Sequence, residues 1–282
     1  MQREPATAES PLRVFGAMLR HYRTAAGLTP EELGARVYLS ASQIRKVEDG
    51  TRTPTEALVQ ACESLPELAT HGALATLREI LKDHLRHHAY PGWFQAWADH
   101  ESRARRLRSF ALVVVPGLLQ TEAYARAILS TRVGATAEEV NEAVAARLER
   151  QGIFDREHPP ELWVLLDEAA LRRPVDSAEV MAEQLTALTI AARRPHIVLQ
   201  VIPLVAGAHE GMRGGPFVLA DFADGPSLAY QDTAVTGQVV EDANQVEGLA
   251  VTWDTLRLDA LPRSASLDLV EEVAQAWTRQ ER

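Results

Sequence analysis

Leu28–Pro54 reads LTPEELGARVYLSASQIRKVEDGTRTP, and the reading of these residues decides the fold of the first third of the chain. Thr29 is a strong N-cap, Pro30 suits the first helical position, and Glu31 and Glu32 complement the positive end of a helix dipole. Leu33 and Val37 fall four apart on one face, with Gly34 between them where a second helix can approach closely. After Tyr38 and Leu39, Ser40 can cap a second helix that buries Ile44 and Val47, and Gly50 ends it. The pattern predicts two short helices joined by a tight turn. Ahead of them, Val14, Met18, Leu19 and Tyr22 are apolar at helical spacing, with Arg20 and Arg23 as polar positions.

This layout is that of a helix-turn-helix, in which the first helix braces the second from behind so that the second can enter a major groove. At these residues the chain resembles the Xre/Cro/phage-repressor type. The resemblance implies that Pro30 starts the bracing helix, that Gly34 is the small residue between helices, and that Ser40–Val47 is the recognition helix. Ala41, Ser42, Arg45 and Lys46 would then point outward to base edges or flanking phosphates, while Ser40, Thr51 and Arg52 hold the DNA backbone. The implied partner is double-stranded operator DNA, a short palindrome read by a homodimer. One position departs from the family: the turn residue usually held by Gly is Tyr38, for which a left-handed conformation would be strained. A helical hairpin that merely packs is the alternative reading.

Charge distinguishes among kinds of nucleic-acid binder. The 282-residue chain carries a formal net charge of −10, the wrong sign for a protein that coats nucleic acid. Yet residues 11–55 hold seven Lys/Arg against four Asp/Glu, whereas residues 89–282 hold eighteen against twenty-eight. A weakly basic reading head on an acidic body suits sequence-specific binding. The single cysteine, Cys62, excludes a disulfide framework within one chain; in the helical run TEALVQACESL it reads as a small core residue. Apolar runs such as LVVVPGLL are too short to span a membrane, and the polar start MQREPATAESP has no hydrophobic signal segment. A cytoplasmic protein with a disordered lead-in over residues 1–10 is expected.

The expected organisation is an all-α helix-turn-helix domain over residues 11–88 and a larger domain over residues 92–280, parted by Ala89-Tyr90-Pro91-Gly92. Thr55–Leu65 predicts a further helix. Gly72–His88 repeats Leu74, Leu77, Leu81 and Leu85, an amphipathic helix that closes the small domain or pairs with its twin across a dimer. His84 and His88 stand at ligand spacing with His87 between them. No cysteine or acidic partner sits at matching spacing, and the helix dipole alone favours histidine there, so no metal is expected.

In the body, helices are expected over Trp93–Arg108, Gln120–Ser130, Ala137–Phe154, Ser177–Ala192, Ala243–Asp254 and Ser266–Gln280. Strands are expected over Ala111–Val115, Leu162–Asp167, Ile197–Ile202, Phe217–Phe222, Leu228–Asp232 and Gly237–Glu241. LWVLLD and IVLQVIPL are apolar on both faces, as central strands tend to be, and FVLADF-ADGP-SLAYQD looks like an antiparallel hairpin. The fold class is therefore α/β or α+β, a mixed sheet with helices packed on it.

A second resemblance covers nearly all of residues 90–280. GWFQAWADHESRA (92–104), VPGLLQTEAYARAIL (115–129), LWVLLDEAALRRPV (162–175) and VLQVIPLVAGAHEGMRGGPFVLADF (198–222) look like the C-terminal domain of unknown function of actinobacterial Xre-type regulators of the WhiJ-like, antitoxin-like kind. The resemblance implies a transcriptional regulator whose body serves dimerisation and sensing of a signal or of a small protein partner. An antitoxin-like protein that neutralises a small cognate partner, and a small-ligand sensor, are the alternatives.

Within the body, Pro116-Gly117 reads as a turn leading into a helix with Leu118, Leu119, Tyr124 and Ile128 as apolar anchors. The Gly-rich loop AGAHEGMRGGPF makes His209, Glu210 and Arg213 candidates for a ligand or partner, since open sheets place ligands at strand ends. It lacks the glycine order of a nucleotide cradle. Asp167-Glu168 is either a carboxylate site or a helix cap. The only acid–base set in view is His209, Glu168, Asp221 and Asp232, whose convergence spacing does not establish, so neither an enzyme nor a cofactor is expected.

Overall fold

The computed structural model describes residues 10–232 and 236–280; the expected lead-in lies, apart from Ser10, outside the described residues. The helices in chain order are α1 (Pro11–Ala25), α2 (Pro30–Arg36), α3 (Ala41–Glu48), α4 (Glu56–Glu63), α5 (Ala73–His88), α6 (Gly92–Arg103), α7 (Glu122–Leu129), α8 (Ala137–Gln151), α9 (Ala169–Arg172), α10 (Ala178–Ala191), α11 (Gly211–Gly214), α12 (Ala243–Asp259) and α13 (Arg263–Gln280). The strands are β1 (Arg106–Ala111), β2 (Glu161–Asp167), β3 (Ile197–Ile202), β4 (Phe217–Asp221), β5 (Leu228–Asp232) and β6 (Gly237–Val240). The chain divides into two compact units, 1–90 with 132–149 and 91–131 with 150–282.

In the first unit, α1 to α4 bury one apolar core of Phe15, Leu19, Leu33, Val37, Ile44, Val47, Leu58, Val59 and Cys62, joined by Leu68 and Leu74. Burial pushes the Cys62 thiol up to about 12. The stripe of α1 differs from the expected one. Leu12, Phe15 and Leu19 are buried, Met18 and Tyr22 only partly, and Val14 is exposed. Gly16 sets this rotation: a Cβ there would lie 2.4 Å from the Glu48 carbonyl oxygen, so α1 meets α3 along its glycine. Arg23 is buried on the same side.

Helix α5 is capped from a distance. Its N-cap, Gly72, has no side chain, and the Glu63 carboxylate instead accepts from the amides of Gly72 at 2.8 Å and Ala75 at 3.0 Å and from the Thr70 hydroxyl at 2.5 Å. The α5 seam is covered within the chain. Leu81 and Leu85 pack with Leu12 and with Ala145 and Ala146 of α8. Polar groups flank that contact: Ser10 Oγ donates to Glu142, and Arg78 and Lys82 lie 3.1 and 3.6 Å from Glu149. Residues 132–149, which the sequence pattern assigns to the body, thus complete the first unit.

The second unit is a six-stranded mixed sheet of order β3-β2-β1-β4-β5-β6. β1, β2 and β3 are mutually parallel, and β4, β5 and β6 continue antiparallel, with β4–β5 as the expected hairpin. Alternation along the strands builds two cores. Leu107, Leu162, Val164, Leu166, Ile197, Leu199 and Tyr230 face one core, which holds residues of α6, α7, α10 and α13. Phe110, Leu165, Phe217, Leu219 and Ala229 face the other, with Val246, Trp253 and Leu256 of α12.

Two expectations are corrected here. The first strand is Arg106–Ala111 and not Ala111–Val115, so the helix begun near Trp93 ends at Arg103. RLRSFA pairs on both edges, with Leu107 buried between the half-buried Arg106 and Arg108, whereas VVVP lies past the last pair. Secondly, β3 is an edge strand despite its apolar faces. Its edge is closed locally: the Val201 carbonyl accepts from Leu261 N–H at 2.8 Å, and Val201 N–H donates to Ser266 Oγ at 3.0 Å. Among the described residues no helix is long and apolar enough to cross a membrane.

Candidate nucleic-acid interface

Both helices of the α2–α3 pair begin with a reciprocal cap. Thr29 Oγ1 accepts from Glu32 N–H at 3.2 Å while the Glu32 carboxylate accepts from Thr29 N–H at 2.8 Å. Ser40 and Gln43 repeat the arrangement at 3.2 and 2.8 Å. Between them Tyr38 adopts φ +58°, the left-handed conformation its sequence position implies, with its side chain 93 % exposed. The strain of about 1–2 kcal/mol is outweighed by Leu33, Ile44 and Val47, whose burial contributes about 1.5–3 kcal/mol each. Gly34 permits the close turn: a Cβ there would lie 2.4 Å from the Leu39 carbonyl oxygen.

The outer face of α3 carries Ser42, Arg45 and Lys46, all exposed, with Ala41 half-buried at the start. Ser40 serves as the cap itself. The loop after α3 is tied to its last turn, because the Lys46 carbonyl accepts from Thr51 N–H at 2.9 Å, Arg52 N–H at 3.0 Å and Thr51 Oγ1 at 3.0 Å. Ser40, Ala41, Ser42, Arg45, Lys46, Thr51 and Arg52 therefore all lie on α3, at its cap or in the loop anchored to its end.

Residues not singled out from the sequence set the orientation of α3. Arg23 Nε donates to Glu48 Oε1 at 2.5 Å and Nη2 to Oε2 at 3.0 Å, both side chains buried, and Nη1 reaches the Leu28 carbonyl at 2.7 Å. Arg20 adds bonds to Glu48 at 3.3 Å and Asp49 at 2.5 Å. On the outer face Arg45 pairs with Glu31 of α2. The Glu31 carboxyl is held below the usual range by its own backbone N–H and by the Arg45 guanidinium. The Ser40…Gln43 and Thr29…Glu32 spacings were legible signals, whereas pairs 14 and 25 residues apart carry none.

The second candidate group separates. His209 turns inward, its Nε2 2.8 Å from Asp167 Oδ2 with both side chains buried, and its ring stands edge-on to Phe110. Gly211 makes room, since a Cβ there would lie 2.3 Å from the Phe110 ring. Glu210 and Arg213 face solvent and pair with each other at 2.7 Å. Asp167 also accepts from Ala169 N–H at 2.7 Å, while Glu168, at the N-cap position of α9, makes no side-chain cap bond and instead binds Arg172 at 2.6 Å and Leu204 N–H at 2.7 Å. Asp221 is engaged by Arg108 and Ser227, and Asp232 by Tyr230, so each carboxylate of the acid–base set is held by a partner other than His209. His84 lies 3.9 Å from Glu142 and His87 3.4 Å from Asp83. Among the described residues no three metal-ligating side chains gather.

Comparison with known proteins finds two families in the chain. Residues 14–67 match the family described as Helix-turn-helix domain, which points to DNA binding, and residues 94–272 match the family described as Domain of unknown function (DUF5753). No curated protein and no solved structure matches the chain. Because the second match spans more than half of its length, the chain belongs to the DUF5753 family and carries a helix-turn-helix domain ahead of that region.

Proposed function

We propose that this protein is a cytoplasmic, sequence-specific transcriptional regulator of the Xre type that binds a short palindromic operator as a homodimer. The observation that carries the reading is the α2–α3 pair: Leu33, Ile44 and Val47 are buried beneath it while Ser42, Arg45 and Lys46 stand exposed on its outer face. Arg45, Lys46, Ser42 and Ala41 meet base edges, and Ser40, Thr51 and Arg52 meet the backbone. Arg45→Ala with Lys46→Ala should abolish operator binding and leave the fold intact, because neither side chain is buried. Unchanged affinity in a gel shift at fixed salt would refute the assignment.

The body receives the signal and acts without catalysis. A second reading, in which it holds a small protein partner as the antitoxin-like, WhiJ-like regulators of actinobacteria are held to do, is supported by exposed apolar side chains. Val113 and Val114 follow β1, and Leu204, Val205 and Met212 follow β3. A ligand sensor would instead use the loop of His209, Glu210 and Arg213. Co-purification of the full chain from its own cells tests the two: a stoichiometric small protein supports the former, a bound small molecule the latter.

A further inference from the structure

The ion pair between Arg45 and Glu31 is not required by packing. An Arg45 Nη2–H donates to Glu31 Oε1, tying the first turn of α2 to the middle of α3. Both side chains are more than half exposed, at 53 % and 58 %, so the pair holds no core together. Leu33, Ile44 and Val47 do that from the opposite face, and the Arg23–Glu48 fork fixes α3 against α1. What Glu31 changes is the freedom of one side chain on the outer face.

We propose that Glu31 is a positioning residue for base reading by Arg45, holding its guanidinium so that the free donors meet a guanine in the major groove. The proposal rests on the DNA-reading function above. A guanidinium has five N–H donors; with one given to Glu31, four remain, and two suffice for guanine O6 and N7. Arg is otherwise a long side chain with many rotamers, and ordering such a chain on binding weakens association roughly two- to tenfold. Pairing in the free protein meets that loss in advance. The same carboxylate opposes misuse of Arg45. A phosphate, which every sequence offers, would bring its full negative charge against the Glu31 carboxylate, whereas a guanine edge is neutral.

The test uses the full chain and obtains the operator by selection. Duplexes enriched by the wild type from a pool with a randomised core supply the selected site, and a scrambled duplex supplies the reference, both at one salt concentration. Glu31→Ala should weaken binding to the selected duplex roughly two- to tenfold, leave binding to the scrambled duplex equal or stronger, and leave the unfolding midpoint unchanged. The wild type should lose more than Glu31→Ala when the guanine under Arg45 is replaced. In an Arg45→Ala background, Glu31→Ala should no longer alter the ratio between the two duplexes. Equal strengthening on both duplexes would make Glu31 a merely repelling charge, and a ratio effect that survives Arg45→Ala would place its action elsewhere; either overturns the proposal. If the wild type enriches no duplex, the DNA-reading function itself falls, a result distinct from both.

Discussion

Arg23 and Glu48 form a buried two-bonded fork, 2.5 and 3.0 Å, between the last turn of α1 and the last turn of α3. The third guanidinium arm reaches the Leu28 carbonyl, just before the helix-turn-helix begins. One side chain therefore ties the preceding helix, the entry to α2 and the end of α3 together. Truncating one partner of a buried pair leaves an uncompensated charge, which costs about 3–5 kcal/mol. Glu48→Ala should lose about that much in denaturant unfolding. Glu67→Ala, which removes the half-exposed partner of Arg36 at 3.2 Å, should lose less than about 1 kcal/mol. Equal losses would show that burial does not set the strength of the Arg23–Glu48 pair.

Tyr38 offers the opposite kind of change. Its backbone sits at φ +58° and its side chain packs against little, being almost wholly exposed. Glycine removes the left-handed strain of about 1–2 kcal/mol and gives part of it back as unfolded-chain entropy. Tyr38→Gly should therefore raise stability by about 0.5–1 kcal/mol, seen as a higher denaturant midpoint at unchanged slope. A lower midpoint would mean that the ring contributes more than its exposure indicates.

Glu63 predicts an acid dependence. Burial works against its charged form, but the Thr70 hydroxyl and the amides of Ala75, Gly72 and Leu74 outweigh it and hold its carboxyl below the ordinary value of 4.5. A carboxyl lowered in the folded state stabilises fully above 4.5, and that contribution fades as pH falls below it through the folded value. Glu63→Ala should cost about 1–2 kcal/mol near neutrality, as loss of a helix cap does. The difference from wild type should shrink with acidification below pH 4.5, measured by thermal unfolding across that range. A difference independent of pH would assign the loss to packing.

Ala145 tests whether α8 completes the first unit. It is fully buried beside Leu81 and Leu85, although it lies within the stretch matched by the DUF5753 family. Ala145→Glu places an oversized unpaired charge there and should destabilise the first unit by about 2–4 kcal/mol. Glu138→Ala on the same helix, at an exposed position, should be nearly silent. Hydrogen exchange of α1 and α5 in the full chain reads the outcome; unchanged protection in Ala145→Glu would detach α8 from that unit.

Legibility followed the range of the interactions. Caps act over three residues, so Thr29 and Ser40 marked helix starts that the structure keeps. Strands made mostly of buried apolar residues, such as Ile197–Ile202 and Leu228–Asp232, were recognisable to the residue. The first strand was misplaced because Arg106 and Arg108 reach partners on neighbouring strands, Glu161 and Asp221, and polar residues with distant partners look like loop. His209 read as a loop ligand because Asp167, 42 residues earlier, is invisible from its neighbours.

The sequence by itself determined the helix-turn-helix, the mixed sheet and the outer face of α3, since helical and strand periods, caps and glycines act through neighbours in the chain. Only the tertiary structure decided that Arg23 points into the core, that Arg45 meets Glu31, and that α8 covers the α5 seam. Each of these joins groups far apart in sequence, and a charge is buried or paired only where folding brings its partner within hydrogen-bonding reach.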